Sequence, residues 1–167
     1  MTSHVLIVYG TRTGATAEVA EALGEVVRQQ GMTVEVRPAK EVRTLPADAA
    51  VVVGAPLYMG KWHRDARRFL KRHRRALQDR PVAIFALGPF EDKPDHWDGA
   101  RDQLAKALAK FPGLDPLDTK LFGGRFDMSK LGFPFTVLPA LQEVPPSDLR
   151  DWDEVRAWGE VLAQRLD

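Results

Sequence analysis

With 167 residues, and 24 Lys and Arg set against 23 Asp and Glu for a net charge of +1, the chain suits one domain (1–167) with a core of its own. The charge balance argues against nucleic acid as a partner, the absence of Cys removes disulfides, thiolate metal sites and cysteine nucleophiles, and four scattered His give no ligand spacing. No apolar run approaches the roughly 20 residues that span a membrane, and Met1 to His4 lead into a strand rather than a signal peptide, so a cytoplasmic protein is expected.

Taken in chain order, strand and helix signals alternate. His4 to Tyr9 is a first, apolar strand. A helix follows with Val19, Ala20, Leu23, Val26 and Val27 on one stripe, ended by Gly31. Thr33 to Arg37 alternates apolar and charged residues, as a less covered edge strand does, and Ala39 to Ala47, with Pro46, is too short for a helix. Ala49 to Gly54 is a third strand, and the helix beyond it crowds Arg64, Arg67, Arg68, Lys71, Arg72, Arg74 and Arg75 around a stripe of Ala66, Phe69, Leu70 and Leu77. Val82 to Leu87 is a fourth strand; Asp95 caps a helix with Trp97, Ala100, Leu104, Ala107, Leu108 and Phe111 inward; Thr119 to Gly123 is a short fifth strand. Asp151 and Glu154 resemble a capping box for a last helix that buries Trp152, Val155, Val161, Leu162 and Leu166.

Near-continuous apolar runs belong to parallel strands covered on both faces, so the first, third and fourth strands form the sheet centre. The expected fold is α/β, three-layered and doubly wound, with a five-stranded parallel sheet of order 2-1-3-4-5. Ligands in such sheets bind over the carboxyl ends of the strands at the switch point, here the first and third.

The first of those loops reads Thr11-Arg12-Thr13-Gly14-Ala15-Thr16. Unpaired N–H groups at a helix start and the positive end of its dipole attract an anion, and hydroxyls at alternate positions add donors. A phosphomonoester is the expected ligand; the alternative is that Thr13 merely caps the helix. The loop lacks the Gly-Lys-Ser/Thr of a Walker loop and the glycines of a dinucleotide fingerprint, and Gly10-Thr11 and Gly54-Ala55 stand where a receiver domain needs acids. After the third strand come Ala55, Pro56, Leu57, Tyr58, Met59, Gly60, Lys61 and Trp62, and after the fourth Gly88, Pro89 and Phe90. Flat apolar side chains beside a phosphate cradle suit a planar ring on a phosphate tail, with Trp62 or Tyr58 as the stacking residue.

Thr11 to Thr16 resembles the FMN phosphate loop of flavodoxins. Gly54 to His63, the Phe69 helix, Phe122-Gly123-Gly124 and the Asp151-Trp152 helix fall in the order of flavodoxin-domain proteins related to menaquinone-dependent protoporphyrinogen oxidase. The resemblance implies a flavodoxin-like fold holding FMN through Thr11, Thr13, Gly14 and Thr16, with Tyr58 to Trp62 along the isoalloxazine. It also implies a glycine peptide in the second loop that flips to hydrogen-bond the reduced ring, for which Met59-Gly60 is the candidate. The chain departs from acidic flavodoxins in its charge balance, and from the protoporphyrinogen oxidases in a shorter Arg125 to Ser147 segment.

Three functions fit: an FMN electron carrier or small oxidoreductase; a quinone-coupled protoporphyrinogen oxidase; and a partner-binding module without turnover. No catalytic acid or base is assigned. The redox partner is expected to be a protein or a quinone. The basic Arg64–Arg75 helix and the apolar Leu131–Leu141 segment are candidate contacts with a partner or with the inner face of a membrane, the bland alternatives being a solvated face and a packed loop.

Overall fold

The computed structural model describes residues 4–127 and 146–166. Branched apolar side chains on both faces of β1 (His4–Tyr9), β3 (Ala50–Tyr58) and β5 (Val82–Leu87) place these strands at the centre of a sheet, where β3 and β5 are buried almost end to end. β2 (Thr33–Pro38) and β6 (Asp118–Phe122) flank them, giving the parallel order β2-β1-β3-β5-β6. Over its five long strands this is the predicted order. Register runs through His4–Thr33, Val5–Ala50, Val51–Val82 and Ala83–Asp118.

Helix α1 (Ala15–Gln29) and a last helix cover one face of the sheet. On the other face lie α2 (Arg64–Arg72), α3 (Arg74–Gln78) and α4 (Pro94–Leu108). The single basic helix read from the sequence is therefore two, broken at His73, with Ala66, Phe69, Leu70 and Leu77 inward as expected. Ala39–Glu41 forms one 3-10 turn and no helix.

Three strands are short additions. β4 (Lys61–Trp62) folds back antiparallel on the end of β3, while β7 (Arg125–Phe126) and β8 (Ser147–Asp148) make a ribbon ahead of α5 (Trp152–Leu166). The Leu131–Leu141 segment lies outside the described residues.

Several side chains differ from their sequence-level assignments. Pro94 occupies the first turn of α4 and Lys93 the N-cap, so Asp95 does not cap that helix. Trp97 is half exposed, its indole N–H donating to Asp92 at 2.9 Å. In α5 the inward aromatic is Trp158, edge-on to Phe85 and Phe122, whereas Val161 faces solvent. Asp151 does cap α5, accepting from Asp153 N–H at 3.0 Å and Glu154 N–H at 3.2 Å, but Glu154 turns away to pair with Lys120 instead of completing the box.

Candidate functional site: a phosphate loop beside an apolar groove

β1 delivers the chain to the sheet's carboxyl end, where Gly10 N–H donates to Gly54 O at 2.9 Å. The next residues turn into α1 without any side-chain cap. Gly14 is the N-cap, at φ +91°, and its N–H donates to the Thr11 hydroxyl at 2.9 Å. That φ is cheap only for glycine. The alternative in which Thr13 caps the helix is thereby replaced: Thr11 shapes the loop, and Thr13 is left to face the cavity. The first N–H groups of α1 have no acceptor within the helix, as at any helix start.

Thr16 is almost wholly buried, 1% exposed, and its hydroxyl has no hydrogen-bond partner. An orphaned hydroxyl costs about 1–3 kcal/mol, which an incoming acceptor recovers. Together the orphan, the Gly14 cradle and the helix start fit a phosphate group. The enclosed space is closed down to about 10 Å³ between the loop, Pro56, Tyr58 and Phe90, so an anion enters by displacing side chains. Burial of the Tyr58 hydroxyl raises its pKa, opposed by the neighbouring Thr13 side chain and the charges of Arg12 and Arg125.

The adjoining groove is built differently. Tyr58 and Lys61 pair across a two-residue turn made by Met59 at φ +51° and Gly60 at φ +77°. Positive φ at both central positions is the type I′ pattern that suits the twist of a hairpin. Among the described residues Met59 is the one non-glycine at positive φ, and it is 70% exposed. Leu57, Met59 and Gly60 form one wall of an open groove of about 430 Å³; Gly88, Pro89 and Phe90 form another, and the start of α4 its floor. Phe90 belongs to both spaces, with Tyr58 and Phe126 at ring-centroid distances of 6.1 and 5.2 Å. At the groove rim Glu91 pairs with Lys93 at 2.8 Å, and the lysine holds the glutamate's carboxyl below its usual range.

Thus Thr11, Arg12, Thr13, Gly14, Ala15, Thr16, Pro56 and Tyr58 gather around the enclosed space at the start of α1, and Leu57, Met59, Gly60, Gly88 and Pro89 along the groove. Trp62 does not join them. Its side chain is 0% exposed, with the indole N–H donating to Ala55 O at 3.0 Å, so it is a core residue and not a stacking platform. Lys61 is exposed on the outer side of the hairpin, toward α4.

Two groups near the loop escaped the sequence reading. Arg125, on β7, donates from Nη2 to Thr13 O at 2.7 Å and from Nη1 to Glu18 at 3.0 Å. Arg150, after β8, donates to Ala15 O at 3.2 Å, binds Asp148 and Glu18, and stacks on Trp152. The one sequence signal is the preceding Gly123-Gly124: a Cβ at Gly123 would lie 2.2 Å from Leu149 O, so the ribbon packs only on glycine. His63 caps α2, its Nδ1 accepting from Asp65 N–H at 3.1 Å, and burial lowers its pKa although Asp65 opposes this.

The comparisons with known proteins agree with this fold. Residues 6–135 match the family model described as Flavodoxin domain. A protein named protoporphyrinogen IX dehydrogenase [quinone] from Escherichia coli (strain K12) is 27% identical over 92 residues, or 54% of this chain and 51% of that one. The chain thus matches about half the length of its curated relatives. A flavodoxin from the domain Archaea superposes with a TM-score of 0.60 at 18% identity, over 98% of both chains. Oxidised Flavodoxin 1 from Bacillus cereus gives 0.59 at 16%, over 99% of this chain and 100% of that one. The rubredoxin:oxygen oxidoreductase of Desulfovibrio gigas gives 0.57 at 19%, over 99% of this chain but 36% of that one.

Proposed function

The chain belongs to the flavodoxin domain family, and from that premise we propose that it is an FMN-binding electron-transfer protein whose phosphate site is the Thr11–Thr16 loop. The observation that carries this reading is the buried Thr16 hydroxyl without a partner at the start of α1. A phosphate monoester supplies the acceptor that this hydroxyl and the first-turn N–H groups lack.

When bound, FMN supplies one- and two-electron transfer. The protein's part is placement. In this reading Thr13 and Thr16 hold the phosphate, Thr11 keeps Gly14 in its left-handed conformation, and Tyr58 with Phe90 walls the ring away from water. The Met59-Gly60 peptide sits at the groove edge with nothing within 4 Å of where a Gly60 Cβ would be, which leaves it room to turn its carbonyl toward a ring N–H. No side chain is assigned as acid or base.

The electron acceptor in this proposal is a quinone or a redox protein. Quinone-coupled protoporphyrinogen oxidation is the second reading, favoured by the name of the E. coli relative over the 92 matched residues. Among the described residues no helix is long and apolar enough to cross a membrane. The exposed basic face of α2 and α3 is where an acidic partner would dock, although Arg67 is partly engaged with Trp62 O and Arg74 with the Phe111 ring.

The test is the absorbance spectrum of the protein as purified, followed by titration with FMN and riboflavin. A flavin spectrum and strong preference for FMN are expected; equal affinity for riboflavin removes the phosphate-loop assignment. Quinone-dependent oxidation of protoporphyrinogen, assayed on the FMN-loaded protein, separates the second reading from the first.

A further inference from the structure

Arg125 reaches the phosphate loop from a distant part of the chain and lines the same enclosed space as Thr13 and Thr16. Its guanidinium lies directly over the loop, since a Cβ built on Gly14 would be 3.9 Å from Nη2. The side chain is only 14% exposed, so its charge acts through a poorly screened medium. Two polar atoms at this space are buried without partners, the Thr16 hydroxyl and the Arg125 Nε. Both are donors. The Thr16 hydroxyl and the Arg125 N–H both call for an acceptor, and the charge of the guanidinium favours an anionic one.

Of the two contacts that hold Arg125, Nη2 donates to Thr13 O at 2.7 Å and keeps the guanidinium over the loop, while the one to Glu18 is replaceable. Nη1 pairs with Glu18, a carboxylate 53% exposed to solvent, where ion pairs are worth little. Glu18 keeps a second guanidinium, that of Arg150, so releasing Arg125 does not strand it. A planar fork of N–H donors matches the oxygens of a phosphate dianion, which makes charge-assisted bonds that a solvated carboxylate cannot equal.

Resting on the FMN-binding reading, we propose that Arg125 is the specificity-determining residue of the phosphate site, exchanging Glu18 for the terminal phosphate of FMN. The donors gathered here suit a terminal monoester carrying two charges. A diphosphate ester presents less charge per phosphorus and a chain that must continue past the guanidinium.

Kd values for FMN and riboflavin, from flavin fluorescence quenching, test this in the wild type and in Arg125→Met, Arg125→Lys and Glu18→Gln, each checked for folding by circular dichroism. Arg125→Met is expected to raise the FMN Kd by about tenfold to a hundredfold and to leave riboflavin unchanged. Arg125→Lys should recover part of the FMN affinity. Glu18→Gln removes the competing carboxylate and should tighten FMN a few-fold with no effect on riboflavin. If Arg125→Met weakens both ligands equally, or neither, or if Glu18→Gln weakens FMN, Arg125 only props the loop and the proposal fails. Should Arg125→Met not fold, the Arg125→Lys and Glu18→Gln results decide alone. Absence of FMN binding by the wild type would instead overturn the FMN reading itself.

Discussion

The two ends of the site are made by opposite means. At the Thr11–Thr16 loop the backbone does the shaping: Gly14 at φ +91° is locked by the Thr11 hydroxyl, Thr16 is buried, and Arg125 from β7 and Arg150 from just after β8 close over the turn. At the ring end an exposed two-residue hairpin tip faces an open groove, and its leading residue, Met59, sits where side chains are disfavoured. The contrast separates two tasks. In the proposed reading, the fixed, donor-rich end would supply affinity and select the ligand's charge, while the loosely held end would be free to respond to changes in the ring.

The sharpest way to test that division is Trp62, which lies under the ring end yet belongs to the core. Trp62→Ala is expected to destabilise the fold by about 3–5 kcal/mol, as for a buried aromatic, read as a fall in the urea midpoint. Trp62→Phe should recover most of the stability and leave FMN affinity unchanged. A Trp62→Ala protein of normal stability with weakened FMN would place the indole in the site after all. Tyr58→Ala is the complement: weaker FMN with little change in urea midpoint.

Thr16→Val tests the other end by a difference of sign. The isosteric change removes an orphaned buried hydroxyl, so the ligand-free protein should be as stable as the wild type or about 1 kcal/mol more so. FMN binding should weaken by about 1.5–3 kcal/mol, the value of a hydrogen bond to a charged group. Riboflavin affinity stays the same. Loss of stability in the free protein would mean that the hydroxyl already has a partner.

How far the residues announced these features follows the same divide. β1, β5 and the strand order are legible because parallel strands buried on both faces need continuous apolar runs, and the turn from β1 into α1 because a glycine among hydroxyl residues marks a helix start. The hairpin is not, since type I′ turns favour Asn-Gly and Met59-Gly60 carries no such signal. Trp62 was misread because an aromatic in a ligand loop looks like a stacking residue, while the acceptor that draws it inward, Ala55 O, appears only in the folded strand. Arg125 and Arg150 stand 35 and 60 residues beyond Phe90, the last residue of the predicted ligand loops, and reach the site only through tertiary closure of the ribbon.

A smaller, pH-dependent effect joins the two ends at His63, which caps α2 beneath Gly10. Burial lowers its folded pKa below the ordinary 6.5, and His73 behaves likewise. The unfolded chain therefore binds more protons than the folded one between the depressed value and about 6.5, so stability falls as pH drops through that window and is fully present above it. Urea midpoints should decline from pH 7.5 to pH 5.5. His63→Asn keeps a cap acceptor for Asp65 N–H without titrating, and should flatten part of that slope. An unchanged slope would assign the effect to His73 alone.

The smallest effects belong to the hairpin tip, and they decide whether its looseness is functional. Nothing lies within 4 Å of a Cβ added at Gly60, so Gly60→Ala meets no clash and its whole cost is the positive φ, about 1 kcal/mol. Met59→Asn has the opposite effect, placing a residue tolerant of φ +51° in the first turn position and stabilising the hairpin by a fraction of a kcal/mol. If the tip merely connects two strands, both changes appear only in the urea midpoint. If the Met59-Gly60 peptide turns to meet the ring, both should also shift the reduction potentials of bound FMN, with FMN affinity nearly constant because the phosphate contacts are untouched. Spectroelectrochemistry on the two FMN-loaded variants reads this directly, and potentials equal to wild type in both would leave the hairpin with a purely structural role.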